Sequence, residues 1–219
     1  MLAVQKLNAR GIGVGMRLIC WNVNKRVRDG LRRQVEALRE REPDVVGLQE
    51  ITPTTSDPWL AALAEIGLPY GASSLDLVPA ARVARRPARS GVLLASRWPL
   101  RVLPIWDTGV PFPERQLSGR LATPHGDVEV HTVHIPSSGR MQQLGVPWAK
   151  AETFEAVYAQ LACHADVPRI VCGDFNAPLD ELPDGTVLPW GPDRRTKAGE
   201  LALMVGLAPF GFGTFNAAA

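Results

Sequence analysis

The run Gly173-Asp174-Phe175-Asn176 sets a carboxylate and a carboxamide two residues apart, just past the apolar segment Pro168-Arg169-Ile170-Val171-Cys172. Alternate residues of a strand share a face, so the spacing predicts Asp174 and Asn176 side by side, with Phe175 turned to the core. A carboxylate and an amide fixed together at a strand terminus can align a water molecule and hydrogen-bond a phosphate oxygen at once. Three more apolar segments end in polar groups. Leu18-Ile19-Cys20-Trp21 runs into Asn22, with Asn24 two residues on, and Val45-Val46-Gly47-Leu48 runs into Gln49-Glu50. A third, ending at Val133, runs into His134 and then Ile135-Pro136-Ser137-Ser138-Gly139.

Each of these groups alone has an ordinary structural reading. Glu50 reads as a solvated carboxylate, Asn22 as a turn former, His134 as a half-buried ring and Asp-Phe-Asn as an Asx-turn leaving a strand. The coincidence shifts the balance: four strands each end in a group suited to metal or phosphate chemistry. Strand termini on one edge of a sheet are where α/β proteins build sites, and groups distant in sequence converge there.

The elements that must position these groups follow from hydrophobic period. Residues 16–23, 44–51, 91–96 and 127–135 read as strands, and 100–126 as strands and turns. Leu31, Val35 and Leu38 recur at helical spacing in a charged segment that Pro43 stops. Residues 59–66 read as a short helix, capped by Ser56 or Asp57. Phe154, Val157, Tyr158 and Leu161 mark a helix over 148–164; residues 178–196 read as loop and 197–205 as helix. The order is that of an α/β domain.

At 219 residues, 46% of them hydrophobic, the chain suits one domain with a substantial core. The net charge of +2 permits a nucleic-acid partner and does not demand one. Cys20, Cys163 and Cys172 are too few and too scattered for a disulfide framework or zinc cluster; Cys20 and Cys172 read as buried thiols. Residues 1–15 hold no signal-peptide core, and no apolar run reaches about 18 residues, so no membrane span is expected. We therefore expect a flexible extension over 1–15, a domain over 16–219, a cytoplasmic location and a monomer.

The runs Cys-Trp-Asn-Val-Asn (20–24), Pro-Asp-Val-Val-Gly-Leu-Gln-Glu-Ile (43–51), Gly-Val-Leu-Leu-Ala-Ser-Arg-Trp-Pro-Leu (91–100), His-Thr-Val-His-Ile-Pro (131–136) and Cys-Gly-Asp-Phe-Asn-Ala-Pro (172–178) resemble the successive motifs of the endonuclease/exonuclease/phosphatase superfamily. The resemblance covers about residues 16 to 207. It implies the deoxyribonuclease-I-like fold, a four-layered α/β sandwich of two sheets faced by helices. It also implies a Mg²⁺- or Mn²⁺-dependent attack of water on a phosphoester. Under it Glu50 is the main metal ligand and Asn22 helps place the metal or its water. Asp174 orients or deprotonates the attacking water, Asn176 hydrogen-bonds the scissile phosphate, and His134 contacts the phosphate. Asn24 and Ser137 are further candidates for substrate contact.

The chain departs from that family's pattern at its C-terminal end. Family members continue with an Arg-Ile-Asp-like segment and a Ser-Asp-His segment whose His is central to catalysis. Here the sequence runs Phe210-Gly-Phe-Gly-Thr-Phe-Asn216-Ala-Ala-Ala219, and no Asp-His pair occurs in it. The expectation is a chain missing one or two C-terminal strands, with impaired turnover by the reaction the family performs. A catalytically impaired phosphate-binding fragment is the alternative. For substrate, the resemblance leans toward nucleic acid, DNA or RNA, with inositol phosphates or phospholipids as the alternative. Arg82, Arg85, Arg86 and Arg89 form a basic stretch that either contacts a polyphosphate backbone, Arg86 foremost, or is a solvated loop. Trp148, Trp190 and Phe212 stack on bases or simply pack.

Overall fold

The computed structural model describes residues 2–7, 16–78, 90–104, 111–177, 180–181, 187–189 and 191–210. One sheet comprises β1 (Leu2–Leu7), β2 (Met16–Asn22), β3 (Val45–Ile51), β4 (Tyr70–Ser73) and β5 (Gly91–Ser96), in the order β1-β2-β3-β5-β4. The other comprises β6 (Leu100–Leu103), β7 (Gln116–Thr123), β8 (Gly126–His134) and β9 (Arg169–Asp174), in that order. Two pairs are parallel, β2 with β3 and β8 with β9. Each has a helical crossover: α1 (Asp29–Arg39) for the first, α4 (Ser138–Gln143) and α5 (Ala149–Leu161) for the second. The remaining helices are α2 (Ser56–Glu65), α3 (Ser74–Leu77) and α6 (Arg194–Met204). Asp180–Glu181 and Val187–Leu188 form a separate two-stranded ribbon.

Strand alternation sorts the core into three layers. Leu18, Cys20, Val45, Val92 and Leu94 of the first sheet pack against Leu117, Leu121, Val128, Val130 and Cys172 of the second. The opposite face of the first sheet, with Ile19, Val46, Leu48 and Leu93, is covered by α1 and α2 through Val35, Leu38, Trp59 and Leu63. On the far face of the second sheet, Val133 and Ile135 meet Phe154, Val157 and Leu161 of α5 and Leu203 of α6. Helix, sheet, sheet, helix is the four-layered arrangement expected. Its central layer carries the architecture, because each sheet is apolar on both faces.

The structure corrects several local expectations. Residues 2–7, inside the expected extension, form a strand. They pair antiparallel with β2 from Leu2↔Trp21 to Leu7↔Met16, satisfying ladder groups that would otherwise be an open edge. Helix α2 starts three residues early, with Thr55 in the cap position; neither Ser56 nor Asp57 caps it. Helix α6 also starts three residues early, because Asp193 caps it: Oδ1 accepts from Thr196 N at 2.9 Å. Strand β4 and helices α3 and α4 are short elements, of 4, 4 and 6 residues, that periodicity did not register.

Candidate active site

The rows of residues that face between the sheets change character at one edge. Along β2 the row is Met16, Leu18, Cys20, then Asn22; along β9 it is Ile170, Cys172, then Asp174; along β8 it is Val128, Val130, Thr132, then His134. The apolar members fix the two sheets against each other, so the polar members meet at the end of the sandwich. Asn22 Nδ2 donates to Asp174 Oδ2 at 2.7 Å, joining sheets across 152 residues of chain. Deeper in, Gln49 Nε2 donates to Thr132 Oγ1 at 3.1 Å, a second polar bridge that is fully buried.

Asn22 and Asp174 each start an Asx-turn. Asn24 N donates to Asn22 Oδ1 at 2.9 Å, and Asn176 N donates to Asp174 Oδ1 at 3.0 Å. Asn24 and Asn176 both take left-handed backbone conformations, φ 51° and 46°, which asparagine tolerates better than most residues. Strand pleat does not set Asn176 beside Asp174, since β9 ends at Asp174; the turn brings its backbone N–H to the Asp174 carboxylate. The residues between fill the outer layers: Val23 is fully buried against the α1–α2 side, and Phe175 packs half-buried on the α5–α6 side. Gly173 is required by close approach, because a Cβ there would collide with the Val133 carbonyl on β8.

The carboxamide of Asn176 is also anchored. Nδ2 donates to Ile135 O at 2.8 Å, which leaves one amide hydrogen for another acceptor. Its backbone carbonyl accepts from Lys150 Nζ at 2.9 Å.

Glu50 sits in a β-bulge. The ladder between β3 and β5 shifts register between Gln49 and Ile51, and Glu50 sits there at φ 63°. A left-handed glutamate costs about 1–2 kcal/mol in backbone energy, and bulges next to sites serve to re-aim a side chain. Strict alternation would have put Glu50 on the helix-covered face with Leu48. Instead its Oε2 lies 4.0 Å from Nζ of Lys25, which follows Asn24 and is itself left-handed at φ 52°.

His134 is 4% exposed, and its Nδ1 has no hydrogen-bond partner among the described residues. Burial, reinforced by the charge of Arg115 and opposed by that of Asp174, lowers its pKa to about 4. Lys25 and Arg140 push the same way. The ring is therefore neutral at pH 7, with one nitrogen waiting for a partner. An unpaired buried nitrogen costs about 1–3 kcal/mol, which a bound oxygen ligand would recover. Those charges also map the surroundings: Lys25, Arg115 and Arg140 bring positive potential to the strand ends, which suits an anion.

The structure thus brings together Asn22, Asn24, His134, Asp174 and Asn176, with Glu50 tied in through Lys25. Ser137 lies three residues past His134 at the start of α4, and its hydroxyl does not cap that helix. Arg86 and its basic neighbours fall outside the described residues, as do Trp190 and Phe212. Trp148 is 48% exposed beside Arg195. Sequence reasoning missed Lys25, Arg115, Arg140 and Lys150. Only Lys25 carried a signal, its adjacency to Asn-Val-Asn.

Among the described residues no three His, Cys, Asp or Glu side chains gather as a metal-holding group. The divalent cation implied by the sequence resemblance needs fewer ligands than that. A hard, largely hydrated ion is held by one or two oxygen donors, and Glu50 and Asn22 supply oxygen only.

Comparison with known proteins bears on the fold and the family. In fold the chain is similar to an endonuclease/exonuclease/phosphatase from Beutenbergia cavernae DSM 12333, with a TM-score of 0.52 and 21% identity. That match covers 77% of this chain and 49% of the other. It is similar also to an AP endonuclease from Archaeoglobus fulgidus, with a TM-score of 0.55 and 20% identity over 77% of this chain and 59% of that one. A humanized D. rerio TDP2 carrying 14 mutations matches with a TM-score of 0.51 and 16% identity, over 74% and 66%. This chain spans about half to two thirds of the length of these structures. The profile of the Endonuclease/Exonuclease/phosphatase family, whose members are phosphoester hydrolases and generally depend on a divalent metal, matches residues 19–218. By its sequence profile, with which the fold agrees, the chain belongs to the endonuclease/exonuclease/phosphatase family.

Proposed function

We propose that this chain hydrolyses a phosphoester at the edge where the two sheets meet, and that its substrate is a nucleic-acid phosphodiester. The observation that carries the reading is the Asn22–Asp174 hydrogen bond, which makes one site of two strand ends. Asp174 accepts one hydrogen bond on each carboxylate oxygen and keeps lone pairs to align a water and take its proton. Asn176, with one amide hydrogen remaining, donates to a phosphate oxygen without altering the charge balance. His134, neutral and unpartnered at Nδ1, hydrogen-bonds a second oxygen. Lys25, Arg115 and Arg140 favour the anion's approach. Glu50 and Asn22 would hold the divalent ion. Bound there, Mg²⁺ or Mn²⁺ neutralises phosphate charge and stabilises the developing oxyanion.

The activity printed for the archaeal neighbour, an AP endonuclease, makes nucleic acid the first substrate to test. With Mg²⁺ present, the chain should cleave bis(4-nitrophenyl) phosphate and abasic-site duplex DNA faster than inositol phosphates. Asp174→Asn should lower the rate about 10²- to 10⁴-fold. An Asp174→Asn rate equal to that of the unmodified chain removes the hydrolytic reading, whereas a preference for inositol phosphates moves the substrate to that class.

A further inference from the structure

Behind Asn176 lies a charged pair that the proposed chemistry does not use. Lys150, in the first turn of α5, is 4% exposed, and Glu200 of α6 is 1% exposed. Lys150 Nζ lies 2.6 Å from Glu200 Oε1 and 2.9 Å from the carbonyl oxygen of Asn176, donating to both. Glu200 Oε2 accepts from the backbone N–H of Gly191 at 2.8 Å. The chain of hydrogen bonds therefore runs from Gly191 through Glu200 and Lys150 to Asn176. From there the Asn176 amide continues it to Asp174, and Asp174 to Asn22. Gly199 allows the approach of α6, since a Cβ there would sit 2.9 Å from Phe154 Cβ.

A buried ion pair is weak evidence for stability, because desolvating two charges consumes most of their attraction; apolar replacements of similar volume are often neutral. Such pairs are better explained by what they hold in place. Here the held object is a left-handed peptide, Asn176 at φ 46°, whose carbonyl lies past the end of β9 and accepts from Lys150. Asn24, the matching residue after β2, is exposed, and among the described residues no buried charge supports it.

The geometry points to Lys150 and Glu200 as positioning residues: together they lock the Asn176 turn so that its carboxamide and the Asp174 carboxylate face the site. In that role they touch neither substrate nor metal. The effect on turnover rests on the hydrolase reading above, but the effect on the turn does not.

The test replaces both partners at once, Lys150→Met with Glu200→Leu, so that no buried charge is stranded. Three quantities are read: the thermal midpoint, the exchange rate of the Asn176 backbone N–H without substrate, and kcat and KM for bis(4-nitrophenyl) phosphate. The midpoint should stay within about 5 °C. Exchange should accelerate at least about tenfold as the turn opens, a change that a merely structural pair would not produce with the midpoint unmoved. The kcat should fall about 10- to 100-fold with KM unchanged, as for a misplaced reacting group. Unchanged exchange overturns the proposal, as does accelerated exchange with unchanged kcat. If the unmodified chain shows no hydrolysis, the functional reading fails and the exchange rate alone decides this one. Should the double variant not fold, Lys150→Gln with Glu200→Gln keeps shape and polarity without charge, and the same accelerated exchange is expected of it.

Discussion

The Asn22-Val23-Asn24 turn after β2 and the Asp174-Phe175-Asn176 turn after β9 are the same local structure used twice. Each begins with a side chain accepting the backbone N–H two residues on, at 2.9 Å and 3.0 Å. Each ends in a left-handed asparagine, and each sends its middle residue into an outer hydrophobic layer. They differ in what stands behind them. The first turn is open to solvent at Asn24 and leads to Lys25 beside Glu50. The second is charged at its first residue, anchored to Ile135 through its last, and backed by a buried ion pair. One motif thus yields an exposed half and an anchored half; in the proposed reaction the first would meet the hydrated cation and the second would orient the proton acceptor.

The largest effect expected of this contrast is its response to acid. Both buried histidines lie on β8, in the sheet that carries the fixed half. Burial and the charge of Arg169 lower His131 to about 4, and burial with Arg115 lowers His134 to about 4. The unfolded chain protonates both near 6.5, where the fold holds them neutral. Their contribution is therefore fully present above about pH 6.5 and is lost as pH falls toward 4, by about 3 kcal/mol each as an order of magnitude. Urea denaturation between pH 7 and pH 4.5 should show this decline, and His134→Gln should remove about half of it. Hydrogen exchange at pH 4.5 should report opening of β8 and β9 before β2 and β3; the reverse order would break the contrast.

A smaller effect separates the two asparagines. Asn176→Ala loses the Ile135 hydrogen bond and strains a left-handed residue, a cost of about 2–3 kcal/mol. Asn24→Ala suffers the strain alone on an exposed turn, about 1 kcal/mol. Chemical denaturation of the two variants measures the difference directly, and equal costs would mean that the second turn is no more tightly held.

How much of this was legible in the sequence differs by residue. Alternation along β2, β8 and β9 was enough to put Asn22, His134 and Asp174 at strand ends, because each follows an apolar or alternating run of residues. The layering was legible only through the family resemblance, because alternation says that a strand has two faces and not what each face meets. Asn176 was located correctly for an incomplete reason, since a turn rather than pleat sets it beside Asp174. The re-aiming of Glu50 was invisible: a bulge is decided by the fit of β3 to β5, not by the residues at 49–51. Lys150 and Glu200 were equally hidden. A charged pair on two amphipathic helices reads as solvated until tertiary packing buries it. Strand β1 was missed because only the exposed ladder of β2 gives residues 2–7 a partner.

The central claim is that two strand ends from different sheets work as one site. A double-mutant cycle of Asn22→Ala and Asp174→Ala on kcat/KM for bis(4-nitrophenyl) phosphate tests it most directly. If the 2.7 Å hydrogen bond joins them in one function, the double variant should lose little more than Asp174→Ala alone. Losses that simply multiply would show two groups acting independently, and would contradict the account.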